Sequence, residues 1–487
     1  MRKSSGPAPI NGVRVKAYAG TTGVLVAMGV TDQARKGLLG FAIEREIMSG
    51  QFAGKKKWLE GMLTFPGLPH EPGQPVASNV GPIQKFRWSD YTVFPGTSYR
   101  YTVHAAYGPA GALTLKQGPQ VDVTTCGPNS SHFVIFNRAA AASQAFARQF
   151  PKTAIELFVA KQKKKKLQTV KLPPEAYQWL SRGLLETIES VLARATDNTW
   201  TVDVCIYEYE LDKIREAVAQ AAQRVSKLRI LYHAKPKDAQ THENKESLKT
   251  PPLPANVDTM PRKTSKIMHN KFIVLSKLAN GARAAQFVLC GSTNFTENGV
   301  YRQANVVHVT DDKKIAGDYL RHFEDLWNTA DDPSETKKAI NQKNPIVGNV
   351  PVFAGFSPRS GLGDLTEFVD VIQGAQRDVL FCTVFKPFDA VLKALKGKNN
   401  DPILRIGLQN TRTTITGFHK DRSQGFAAAA FLKEGLDGWL QEWTAKQKGN
   451  ILVHTKIVVV DFTSSSPTII SGSHNLSKPA SDGNDEN

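Results

Sequence analysis

The chain has 487 residues, enough for about three domains of ordinary size. At 41% hydrophobic and 22% charged it can bury sizeable cores, which excludes a disordered polymer. The formal net charge of +18 favours polyanionic partners: nucleic acid, anionic lipid surfaces or phosphorylated substrates. The four cysteines, Cys126, Cys205, Cys290 and Cys382, are too few for a disulfide scaffold and form no close pair suggesting zinc. Cys205, Cys290 and Cys382 sit in apolar runs and read as buried reduced thiols, which suits a reducing compartment. The basic N-terminus lacks the apolar stretch of a signal peptide, and no run of roughly 18 apolar residues predicts a membrane span, so a cytoplasmic protein is the expectation.

Residues 1–126 read as all-β. VRVKAYAG, GVLVAMGV, YRYTVHAAYG and QVDVTT are rich in Val, Tyr and Thr and are separated by Gly and Pro turns. Tyr99, Tyr101 and Val103 alternate with polar residues at strand period. The stretch from Trp88 to Tyr101 resembles a fibronectin type III or immunoglobulin-like sandwich.

Beyond residue 127 the pattern becomes α/β. PPEAYQWLSRGLLETIESVLARA predicts one helix after a Pro pair. TVDVCIYEY then predicts a strand, LDKIREAVAQAAQRV a helix and KLRILYH a strand: a βαβ unit with a partly parallel sheet. The same series recurs near residue 350 as DVLFCTVF, FDAVLKAL and PILRIGLQN. The expected boundaries are 127–345 for a first half and 346–487 for a second. Two long polar stretches, from His233 to Lys266 and over 410–425, read as loops, and KQKKKK at 161–166 as a solvated or phosphate-attracting run.

The repeat carries the chemistry. IMHNKFIVL followed by FVLCGSTNF sets out His269, Lys271, Ser292 and Asn294; ILVHTKIVVVD followed by TIISGSHNL sets out His454, Lys456, Ser473 and Asn475. On strands, residues i and i+2 share a face, so each His projects with its Lys and each Ser with its Asn. Polar groups converging on apolar strands are costly to bury without a purpose. Phosphoryl transfer suits them. One imidazole attacks phosphorus, the other protonates the leaving oxygen, and lysines and amides hold the non-bridging oxygens. The six core residues are thus His269, Lys271, Asn294, His454, Lys456 and Asn475.

These paired HNK/GSTN and HTK/GSHN motifs resemble the phospholipase D superfamily, over roughly residues 130–487. The resemblance implies two repeated α-β-α halves with mixed, partly parallel sheets around one shared active site, preceded here by the all-β immunoglobulin-like sandwich. It also implies no metal and no cofactor, a nucleophilic role for His269, a general-acid role for His454, and a supporting one for Ser292 and Ser473. Asp461 stands at the family's Asp position in the second copy, and Ser276 replaces it in the first. The family's ring-orienting carboxylate, eleven residues after the motif Asn, is matched by Glu486 and replaced by Asn305 in the first copy. An amide in one half resembles the tyrosyl-DNA phosphodiesterase branch. The first copy continues into a strand and helix with no counterpart after Glu486, so the second half reads as C-terminally truncated. The resemblance is compatible with a nuclease cleaving nucleic-acid phosphodiesters, which the charge favours. It fits equally a phospholipase D or transphosphatidylase acting on phospholipid. A binding protein with a vestigial enzyme half is the third alternative.

Overall fold

The computed structural model describes the chain except residues 71–73, 140–142, 164–169, 264–265, 349, 398–400, 410–423 and 429–451. Residues 410–423 of the polar 410–425 stretch and residues 164–166 of the lysine run 161–166 therefore lie outside the described residues. The chain divides into two compact units, Met1–Ile135 and Phe136–Asn487. The division falls later than residue 126, inside the strand His132–Phe136.

In the first unit, strands Arg2–Ser4, Val13–Ala19, Val24–Val30 and Arg87–Asp90 form one antiparallel sheet in that order. A second antiparallel sheet runs Thr114–Thr124, Ser98–Tyr107, Gly40–Ile47, Lys56–Trp58. Period-two alternation sends Val13, Val15, Ala17, Val24 and Val26 from the first sheet, and Tyr99, Tyr101 and Val103 from the second, into one core. Each fully buried large apolar side chain there contributes roughly 1.5–3 kcal/mol.

In the second unit six strands of a mixed sheet run Val306–Thr310, Ala282–Gly291, Lys271–Ala279, Trp200–Ile206, Lys227–His233, Val257–Arg262. The Trp200, Lys227 and Val257 strands are parallel; the Lys271 strand is antiparallel to its neighbours. The same order recurs in a five-stranded sheet: Gln424–Ala428, Leu404–Gln409, Asp378–Thr383, Ile457–Val460, Thr468–Ser471. There, too, three parallel strands are followed by an antiparallel pair. Helix Lys313–Asn328 buries Ile315, Ala316, Tyr319, Phe323 and Leu326 on one side, against Phe272 and Val274 of the first sheet. In the second half the core gathers Leu365, Val379, Val391, Leu395 and Val458. No described helix is long and apolar enough to cross a membrane.

Two expectations are corrected. The single helix over 174–195 is two, Pro174–Ser181 and Leu184–Ala193. Between them Arg182 and Gly183 take left-handed φ values of 51° and 93°, which ends the first helix and restarts the second on a new axis. The long polar stretch after His233 is not a bare loop: it holds helix Ala239–Ser247, capped by Asp238, and the strand Val257–Arg262. Pro261 is tolerated in that strand because it lies at the sheet edge, where one side of the backbone needs no donor.

Candidate active site

The motif residues gather at strand ends, and of them only Lys271 lies within a strand, as its first residue. His269 immediately precedes the strand that begins at Lys271, and Ser292 and Asn294 follow the strand that ends at Gly291. His454, Lys456, Ser473 and Asn475 likewise sit outside Ile457–Val460 and Thr468–Ser471. Lys271 pairs with Ile206, the last residue of a parallel strand, so the first motif gathers at the carboxyl ends of the parallel strands. Ligands of open α/β sheets bind in that position.

The two copies interlock there. Ser292 Oγ accepts from Val306 N at 3.2 Å and donates to Asn305 Oδ1 at 2.8 Å; Asn305 Oδ1 lies 2.9 Å from Nδ1 of His454. Ser473 repeats the pattern: its Oγ accepts from Asn487 N at 2.9 Å and donates to Glu486 Oε2 at 2.6 Å, and Glu486 Oε2 lies 2.7 Å from Nδ1 of His269. Thus the Ser of each copy supports the His of the other, not its own, which strand periodicity alone did not reveal. A parallel pairing of Gln303–Ala304 with Leu452–Val453, and the bond from His454 N to Ala304 O at 2.9 Å, hold the second motif against the first.

The motif glycines are dictated by this crossing of chains. A Cβ on Gly291 would stand 2.2 Å from Val306 O, and one on Gly472 2.2 Å from Asn487 O. These are the segments that carry Asn305 and Glu486, which contact the two rings. Gly291 also holds φ at 153°, which L side chains rarely adopt.

Lysines complete the cluster. Lys456 Nζ lies 3.1 Å from His454 Nε2, and Lys271 Nζ donates to His269 O and lies 5.1 Å from the centre of the Tyr207 ring. Both lysines are buried. Burial, opposed by the nearby carboxylates, brings Lys271 down to about 8 and holds Lys456 well below the ordinary lysine range, where the charge of Lys271 adds to the effect. Burial also holds both imidazoles neutral. It lowers His269 to about 4 despite Glu486, and His454 well below 6.5, with the lysines reinforcing the shift. Burial pushes the Glu486 carboxyl upward, but the charge and hydrogen bond of His269 outweigh it and leave the group at about 2.

Of the remaining candidates, Asp461 lies apart from the cluster. Its carboxylate accepts from the backbone N–H of Gln376 and Arg377 at 2.8–3.1 Å and fastens the end of its strand. Ser276 is buried at a bulge in the Lys271 strand, and its hydroxyl has no hydrogen-bond partner among the described residues. Two neighbours were not foreseen. The Tyr207 ring stands between His233 and His269, with centroids 5.1 and 5.4 Å away. Burial raises the Glu208 carboxyl, while the charges of Lys271 and Lys456 and the nearby Asn294 oppose the rise. The usable signal was YEYE at the carboxyl end of a predicted parallel strand.

Residues 189–327, which hold the first motif, match the sequence model of a family described as cardiolipin synthase, PLD-like domain. No curated protein matches. Among solved structures, the polyphosphate kinase from Porphyromonas gingivalis is 12% identical over 62% of this chain, with a TM-score of 0.42; the match spans 42% of that kinase's own length. The phosphatidylserine synthase of Haemophilus influenzae Rd KW20 is 13% identical, covering 63% of this chain and 79% of its own, with a TM-score of 0.39. Nuc from Salmonella typhimurium, a phospholipase D family member, is 20% identical, covering 32% of this chain and 90% of its own, with a TM-score of 0.23. Residues 189–327 are thus similar to a PLD-like domain, and this supports the superfamily resemblance of the motifs.

Proposed function

We propose that this protein is a metal-independent phosphodiesterase whose two histidines act on one phosphorus atom, and that its substrate is nucleic acid. The observation that carries the reading is the reciprocal hold on the rings: Glu486 of the second copy on His269, Asn305 of the first on His454. His269, neutral, with its Nδ1–H directed at Glu486, presents the Nε2 lone pair. That atom attacks phosphorus, the P–O bond to the leaving group breaks, and His454 in its protonated form delivers a proton to the departing oxygen. The resulting phosphohistidine carries ring charge beside the Glu486 carboxylate. Neutral His454 then takes a proton from water, which displaces His269 and releases the phosphate product. Lys271, Lys456, Asn294 and Asn475 stabilise the charge on the non-bridging oxygens, the task a metal performs elsewhere. The first unit, read as an immunoglobulin-like sandwich, serves as a packing or interaction module.

The net charge of +18 favours nucleic acid. Phospholipid is the second reading, favoured by the cardiolipin synthase name of the matching family. A substrate panel in excess chelator tests both: plasmid DNA, single-stranded DNA, RNA, and phosphatidylglycerol vesicles. Nucleic-acid cleavage that persists in chelator and falls steeply with added salt is the expected result. Cleavage of lipid alone reverses the substrate assignment, and strict dependence on a divalent ion overturns the mechanism.

A further inference from the structure

The first unit carries a cationic sheet face that the proposed chemistry does not use. In the sheet Arg2–Ser4, Val13–Ala19, Val24–Val30, Arg87–Asp90, side chains such as Val13, Val15, Ala17, Val24 and Val26 enter the core, so the residues between them point outward. The register sets these outward residues in rows. Arg2, Tyr18, Leu25 and Ser89 lie side by side, as do Ser4, Lys16, Ala27 and Arg87, and Arg14 sits opposite Gly29. None of these positions is acidic, and Arg14 and Arg87 are exposed. Small residues keep the face open: Ala27 separates Lys16 from Arg87, and a Cβ on Gly29 would meet nothing within 4 Å. Tyr18 lies among the cations, its ring centre 5.1 Å from Lys16 Nζ and 5.7 Å from Arg2 Cζ. The second sheet of this unit differs. It answers its cations across strands with carboxylates, Lys56 with Glu46 at 3.5 Å and Arg100 with Asp122 at 2.8 Å. No ion pair involves Arg14, Lys16 or Arg87 among the described residues.

Like charges gathered on one face, with no acid between them, repel one another and attract a polyanion. The aromatic ring among them narrows the choice of polyanion. Phosphates answer cations whatever carries them, but a ring can stack only on a base that is unpaired. A duplex hides the faces of its bases, and an anionic lipid surface offers none. We propose that the outer face of this sheet is a binding site for single-stranded nucleic acid, in which Arg2, Arg14, Lys16 and Arg87 meet backbone phosphates and Tyr18 stacks on a base. The site uses none of the histidine cluster's residues and goes beyond the proposed cleavage: a strand can bind here whether or not it is cut.

The test is fluorescence anisotropy with a labelled oligothymidylate of about 16 nucleotides, on the full-length protein carrying His269→Asn so that the probe stays intact. Combining Arg14→Ala, Lys16→Ala and Arg87→Ala is expected to weaken binding at least about tenfold at about 50 mM salt. It should also lower the slope of log affinity against log salt by about 2, the share of three phosphate contacts on a single strand. Tyr18→Leu is expected to weaken binding about tenfold with that slope unchanged, whereas Tyr18→Phe, which keeps the ring, binds as the parent does. Where Tyr18→Leu fails to fold by circular dichroism, the triple variant and its salt slope decide alone. Unchanged affinity in the triple variant, a folded Tyr18→Leu protein that binds normally, or no binding by the parent overturns the proposal. A parent that ignores the oligonucleotide but binds phosphatidylglycerol vesicles through the same three cations also overturns it, in favour of a lipid surface. Nucleic-acid cleavage by the wild type with unchanged binding in the variants removes this site and leaves the proposed activity. Weakened binding in the variants of a protein that cleaves no nucleic acid removes that activity and leaves this site standing.

Discussion

Asn305 orients its amide one way, because its Nδ2 donates to Gly299 O at 2.8 Å and its Oδ1 therefore faces Ser292 and His454. His454 Nδ1 thus meets two acceptors, Asn305 Oδ1 and Ser292 O, and carries a hydrogen. To act as an acid at Nε2 it must be an imidazolium, which burial and the lysines oppose in the empty site. The negative charge of a bound phosphodiester supplies what is missing. His269 differs, since the carboxylate behind it stabilises positive charge on its ring and an amide does so far less. Exchanging each ring for an amide tests the pair. His269→Asn and His454→Asn are each expected to lower turnover by at least about a thousandfold, measured on the best substrate of the panel. Full activity in either variant contradicts the single-site mechanism. His269→Asn also has a stability signature. A histidine held at about 4 in the fold and about 6.5 in the unfolded chain binds its proton only when unfolded between those values. Stability is therefore intact above pH 6.5 and is lost as pH falls towards 4, by about 1.4 kcal/mol per pH unit for one such group. His233, His322 and His454, also lowered by burial, steepen the same slope. Urea unfolding at several pH values should show His269→Asn losing about one proton's share of it.

At the scale of elements, each Gly-Ser-x-Asn turn is a place where one strand end passes over another chain segment with no room for a Cβ. Gly291→Ala is expected to destabilise by about 3 kcal/mol or more, since backbone atoms, not a flexible side chain, stand in the way and φ is in the region that favours glycine. The readout is the denaturation midpoint; a loss below about 1 kcal/mol would show that the Val306 segment yields easily. Gly317→Ala, on the open surface of helix Lys313–Asn328, is the matched control, because nothing lies within 4 Å of its Cβ. The sequence made these strands legible because apolar runs of period two or fully buried runs surround each motif, and the βαβ series recurs in the second half. It left the helix Ala239–Ser247 illegible for a physical reason. That helix has almost no apolar stripe, and its hold on the domain is polar: the Asn244 amide bonds Tyr207 O, His233 O and Tyr209 N, Gln240 donates to Glu210, and Ser247 O accepts from Arg215. A helix held by polar side chains has no apolar period to read. The break at Arg182–Gly183 was hidden because the apolar spacing runs through it. Glu208 was hidden because a single carboxylate has no spacing at all.

At the scale of the second unit, the two copies are bolted together behind the histidines as well as between them. Arg262, from the edge strand of the first sheet, meets Asp485 through Nε at 3.0 Å and Nη2 at 3.1 Å, with both side chains fully buried. The guanidinium also donates to Thr329 O and to Thr336 Oγ1, so its donors are committed to fixed positions. Asp485 is at the same time threaded beside Met268, one residue before His269: His269 N donates to its carbonyl at 2.9 Å and Met268 pairs with it as a parallel bridge. The segment that delivers Glu486 to His269 is therefore anchored by the buried ion pair next to it. Removing one partner of such a pair leaves the other charge buried and unmatched, which costs about 3–5 kcal/mol, whereas replacing both with apolar groups of similar volume can be nearly neutral. Asp485→Ala is accordingly expected to lower stability by about that amount and to impair turnover along with it, because Glu486 loses its anchor. The double variant Arg262→Met with Asp485→Leu should recover most of the stability and much of the turnover, measured by denaturant unfolding and by cleavage of the same substrate. If Asp485→Ala alone stays within about 1 kcal/mol of wild type, the ion pair does not join the copies. If the double variant regains stability without turnover, the bolt holds the fold together but does not place Glu486.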